Sequence, residues 1–180
     1  MQIKYSNIGT IEPVLLADAK AWLKAEDYDT DDAMITSLIT GVRGLVEEFT
    51  GLSLVDKTIE YFEDDVCELT NDAGRIEVAL PYPEHDTIVE VKVDGTEVTD
   101  YVSTGLTRKI ITLNNTFSTG LISDKGLYIK YTTLANCQEG IRQAMLKQIE
   151  DVYEHRGNNF EGSIAQLNEN CFAYTNIFWI

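Results

Sequence analysis

The sequence predicts an α+β protein: an N-terminal helical pair, a small antiparallel β-sheet region, a C-terminal helix and an extended tail. Apolar residues recur at three- and four-residue steps in 14–25, 31–50 and 137–156. Between them, the stretch 57–133 alternates and is punctuated by turn residues. Helices segregated in sequence from a run of strands argue for α+β with a small antiparallel sheet. With 180 residues, 44% of them hydrophobic, the chain can build one cored domain, read over 1–157, with a tail over 158–180.

In the first helix, 14–25, Leu16, Ala19 and Leu23 share a face and Pro13 marks the start. The helix 31–50 is the clearest. Ile35, Ile39, Val42, Val46 and Phe49 make its stripe, and Met34, Leu38 and Leu45 widen it. So broad a face is expected to meet partners on more than one side. Thr30 or Asp29 is expected to cap it, Asp31 and Asp32 sit at the positive end of its dipole, and Gly51 stops it. Gly41 and Gly44 each cost about 1 kcal/mol against alanine inside a helix, which suggests close backbone packing. Strands are expected at 57–63, 75–80, 87–93, 96–102, 109–113 and 126–133, with a two-residue hairpin turn at Asp94-Gly95. Asn136 and Glu139 have the spacing of a capping box for the helix 137–156, which Gly157 closes.

Thirty acids against 14 bases give a formal charge of −16. Such a chain repels phosphate backbones and anionic membranes. No specific DNA binding and no membrane association are expected. The three cysteines are scattered, the start MQIKYSNIGT has no apolar core of a signal peptide, and no run of 18 apolar residues follows. A soluble intracellular protein with unpaired thiols is the expectation.

The stretch Asp27–Ala33, DYDTDDA, opens like a calcium loop, but its sixth residue is Asp32 where glycine is needed, and its twelfth is Leu38 where a bidentate glutamate is needed. An acidic turn that caps a helix explains it better. Gly51–Thr58 resembles a phosphate loop only at its ends, and Lys57-Thr58 opens a strand. His85 and His155 have no partner at metal-ligand spacing, and no nucleophile elbow is present. No catalytic residue, cofactor or metal is assigned, and the chain is read as a non-enzyme. An acidic mimic of DNA that inhibits a nucleic-acid-binding protein, or a small enzyme without a visible motif, are the alternatives.

Residues 12–62, EPVLLADAKAWLKAEDYDTDDAMITSLITGVRGLVEEFTGLSLVDKTIEYF, resemble the phage head–tail connector family, also called head-completion or adaptor proteins. The resemblance lies in Glu12-Pro13-Val14, the Ala19-Lys20 helix, the acidic Asp31-Asp32 start and the long helix ending Glu47-Glu48-Phe49-Thr50-Gly51. The late helix ending Tyr153-Glu154-His155-Arg156-Gly157 adds to it, whereas Leu15, Ala17 and the aromatic tail depart from the pattern. The resemblance implies a structural part of the neck of a tailed phage or prophage, assembled in the host bacterial cytoplasm. It implies a ring of about twelve copies, closed by heterologous contacts. Such a ring lies under the portal protein, extends the DNA channel and receives the next neck or tail protein. DNA would pass without specific binding. Candidate interface residues are Ile35, Leu38, Val42 and Leu45 on the long helix and Phe172, Tyr174, Phe178 and Trp179 in the tail. The tail would anchor a subunit to its neighbour or the portal, unless it folds back on its own domain.

Overall fold

A computed structural model describes residues 2–66, 69–82, 85–105, 109–116, 126–155 and 160–171, without the side chains of 85, 115–116 and 160–163. The chain divides into two compact units, one of Met1–Gly9 with Asp56–Ala135, the other of Thr10–Val55 with Asn136–Ile180. The class is α+β, as the residue periodicities predict.

The first unit is built of strands. A five-stranded antiparallel sheet has the order β1 (Gln2–Ile8), β2 (Lys57–Glu63), β8 (Leu127–Thr133), β4 (His85–Val93), β5 (Thr96–Glu97). A three-stranded antiparallel sheet has the order β3 (Arg75–Ala79), β7 (Ile110–Thr116), β6 (Tyr101–Thr104). Alternation decides what is inside. Ile59 and Tyr61 of β2 and Leu127, Ile129 and Tyr131 of β8 point into one core, joined by Ile76 and Val78 of β3 and Ile111 and Leu113 of β7. Asp94 and Gly95 both have positive φ, 52° and 76°, and Val93 pairs with Thr96. This is the tight hairpin that the sequence predicts, since only such φ values match the strand twist.

Two differences stand out here. The expected strand 96–102 is two short strands, β5 and β6, which belong to different sheets. β1 was not expected at all. Of its seven residues only Ile3 is half-buried and the others are exposed, so it has no apolar period. Ladder hydrogen bonding to β2 places it instead, from Gln2 opposite Phe62 to Ile8 opposite Lys57. Gly9 ends it where a Cβ would stand 3.1 Å from the Asp56 carbonyl oxygen.

The second unit is helical: α1 (Leu16–Leu23), α2 (Asp32–Thr50), α3 (Glu139–His155) and α4 (Phe160–Cys171). Ile35, Ile39, Val42 and Val46 of α2 and Ile141, Met145 and Ile149 of α3 form its core. Gly51 closes α2 at φ 68°, and its N–H reaches the Glu47 carbonyl at 2.9 Å. Within 158–180, read from sequence as a tail, α4 is a helix. Leu167 and Cys171 are buried in the helical core. With Ile164 they lie three, four and seven residues apart, enough for one apolar edge on an otherwise polar helix. α3 begins at Glu139, two residues after the predicted start, and the Gln138 carbonyl accepts from Ile141 and Arg142.

Candidate functional site

The acidic turn before α2 serves as a clamp. Residues Asp29–Asp31 form a single 3-10 turn leading into α2, with no side-chain cap at its start or at that of α2. The expected caps from Thr30 or Asp29 are therefore replaced by a longer-range partner. Lys20 of α1 donates from Nζ to Asp29 Oδ1 at 2.9 Å and lies 2.7 Å from Asp32 Oδ1. Hydrogen bonds to Asp32 and then Asp29 raise the lysine pKa, outweighing its desolvation. Asp31 Oδ2 accepts from the Tyr153 hydroxyl of α3 at 2.7 Å. The carboxylates of DYDTDDA thus join α1, α2 and α3. Among the described residues no group of three or more His, Cys, Asp or Glu is placed to hold a metal ion. His155 sits 3.2 Å from Asp151 on its own helix.

A second network runs along α2. Arg43 donates from Nε to Glu12 at 2.8 Å and from Nη1 to Glu47 at 2.8 Å. Glu47 in turn accepts from the Leu54 N–H at 2.8 Å. The Glu47 partner at i+4 is legible in the sequence, whereas Glu12, 31 residues before Arg43, is brought to it only by the fold. Trp22 Nε1 donates to Glu150 at 2.8 Å and Arg142 Nη2 to Asp18 at 2.7 Å, and both tie α1 to α3.

These networks settle which side of α2 remains open. Ile35 and Val42, two of the expected interface residues, are 0% and 3% exposed and belong to the core of their own unit. Leu38 and Leu45 are half-buried against the same core, and Met34 is 46% exposed. Gly41 and Gly44 face the open side: nothing described lies within 4 Å of a Cβ at either, so they serve no close packing within the described chain. Phe172, Tyr174, Phe178 and Trp179 lie outside the described residues. Between α2 and α4 runs an apolar groove lined by Leu45, Phe49, Ile164 and Leu167, with Glu48 and Asn168 also lining it. Of these, only Leu45 was singled out from sequence as an interface residue; the rest require knowing that α4 exists.

In the strand unit, a cation is set among aromatic rings. The buried Lys57 places Nζ 4.6 Å from the Tyr82 ring centroid and 5.2 Å from that of Tyr5, whose hydroxyls lie 2.9 Å apart. Tyr131 donates its hydroxyl to the Pro81 carbonyl at 2.8 Å, and burial drives its pKa far up. Burial also pushes Tyr61 up to about 12. These contacts fasten the sheet. Among the described residues no helix is long and apolar enough to cross a membrane.

No protein-family profile matches the sequence, and no curated protein matches it. Solved structures do match in shape. A chain described as from the virion of a native gene transfer agent particle superposes with TM-score 0.72 at 14% identity, over 100% of this chain and 98% of that one. A chain from the neck of an empty gene transfer agent particle, computed with C6 symmetry, gives 0.66 at 15% identity over the same shares. A chain from the neck of the native particle, computed with C12 symmetry, gives 0.61 at 17% identity, again over 100% and 98%. The α+β architecture described above is therefore a fold shared with chains from the virion and neck of gene transfer agent particles.

Proposed function

We propose that this chain is a structural, non-catalytic component of the neck of a tailed phage, prophage or related particle. It forms a ring of about twelve copies under the portal protein, closed by heterologous contacts. The ring extends the DNA channel and joins the head to the next neck or tail protein. The observation that carries this reading is the likeness to gene transfer agent neck chains over 100% of this chain and 98% of theirs, one of those necks having been computed with C12 symmetry.

The charge supports it. A conduit with a net positive wall would release counterions from DNA and hold it, whereas a chain of charge −16 leaves the duplex free to slide. The contact surfaces fit as well. With Ile35 and Val42 in the core, the open side of α2 offers Met34 with the half-buried Leu38 and Leu45. The aromatic segment with Phe172, Tyr174, Phe178 and Trp179 would supply the rest of the subunit or portal contact. The assembled protein then resides in the virion neck, having been made in the host cytoplasm.

Complementation tests the reading. Particles made without the chain should accumulate as DNA-filled heads and separate tails, and supplying the chain should restore joining. Joined, functional particles made without it would overturn the proposal.

A further inference from the structure

We propose that in the isolated chain the groove between α2 and α4 binds the chain's own C-terminal segment, residues 172–180. The groove holds about 380 Å³ and is lined by Leu45 and Phe49 of α2 and Ile164 and Leu167 of α4. That is on the order of a dozen water volumes, and its apolar residues would give those waters few hydrogen bonds. It is room for one or two aromatic rings, with the remainder of a bound segment lying along the surface.

The composition of the segment selects it as the occupant. Residues 172–180 read FAYTNIFWI and carry no charged side chain, in a protein where 24% of residues are charged and the net charge is −16. Four of its nine residues are aromatic. The groove has one charged lining residue, Glu48, so it is a place on an acidic protein suited to receive such a segment.

Reach selects this chain's segment over that of a second copy. Cys171, the last residue of α4, is buried in the helical core, which fixes where the segment starts. From Ile164 to Cys171 the helix rises about 10 Å at 1.5 Å per residue. Nine extended residues span up to about 30 Å. A reversal after Cys171 is therefore long enough to bring Phe178 and Trp179 back beside Ile164 and Leu167. A segment so tethered has an effective concentration in the millimolar range, above that of any second copy in dilute solution. The contact belongs to the isolated chain and does not rest on the neck role.

The test uses the full chain with Trp22→Phe, which leaves Trp179 as the sole tryptophan. Its emission should be blue-shifted relative to a synthetic 172–180 peptide, and the shift should not change on dilution of the monomer. Ile164→Asp should return the emission to that of the peptide while far-UV circular dichroism is retained. A photo-crosslinking amino acid at the exposed Glu48 should give adducts within 172–180 of the same chain, which decides the matter if Ile164→Asp fails to fold. Peptide-like emission, a shift that appears only as oligomers form, or monomer adducts absent from 172–180 would each overturn the proposal. A neck role would survive any of these results, and complementation would test it separately.

Discussion

Replacing Arg43 by methionine removes the cation from the most enclosed ion pair described in the helical unit. The two side chains are 10% and 5% exposed, and their atoms are 2.8 Å apart. Methionine keeps much of the volume, so the loss is electrostatic. It leaves the Glu47 carboxylate in the interior without the guanidinium, and Glu12 loses its Nε donor as well. Breaking a buried pair from one side typically costs about 3–5 kcal/mol. For a chain of this length each kcal/mol lowers the melting temperature by about 2–4 °C, giving a fall of roughly 6–20 °C. Adding Glu47→Gln should return part of this, since glutamine still offers an oxygen to the Leu54 N–H without a charge. The recovery should be at least about 1 kcal/mol as a coupling energy. Urea unfolding followed by far-UV circular dichroism measures all three variants. A single-variant loss under about 1 kcal/mol, or a double-variant loss equal to the sum of the singles, would refute the reasoning.

Gly126 has φ +60°, and a Cβ there would stand 2.2 Å from the Glu63 carbonyl oxygen, so Gly126→Ala should cost about 3 kcal/mol or more in thermal or urea unfolding. Gly44→Ala, with open space around its Cβ, should instead stabilise α2 by roughly 0.5–1 kcal/mol in the same assay. Tyr61 is raised by burial from 10.0 to about 12, so the folded state holds its proton more tightly than the unfolded state. Its contribution to stability is complete below pH 10 and is lost as pH rises from 10 through 12, which unfolding titrations on Tyr61→Phe should show as a weaker alkaline slope. Removing residues 160–180 takes the buried Leu167 and Cys171 out of the helical core and should cost several kcal/mol, about 1.5–3 from Leu167 alone, on top of what removal of 172–180 costs by emptying the groove between α2 and α4. Calorimetry on the two truncations checks the difference.

Local physics was legible in the sequence and long-range pairing was not. Ile35, Ile39, Val42 and Val46 announce α2 by their spacing, and Asp94-Gly95 announces its hairpin because few other residues accept both positive φ values. β1 gives no such signal. Its side chains are mostly exposed, and what holds it is the ladder to a strand whose paired residues lie 49 to 60 positions away. α4 has only a narrow apolar edge among polar residues, so it reads as tail until α2 and α3 are present to receive Leu167. Asp29 and Asp32 have the residue types of helix caps, and only the fold brings Lys20 to them. The residues expected from sequence to form an interface show the same limit. A wide stripe on α2 cannot say which side is core, and Ile35 and Val42 fall inside while Leu38 and Leu45 remain half-buried.

Imaging the purified chain with and without the portal protein of its own particle tests the central claim most directly. The account predicts closed rings seated coaxially on the portal, of about twelve subunits, as heterologous contacts that close by rotation would give. Chains that stay monomeric in the presence of the portal, with no added density beneath it in class averages, would contradict the account.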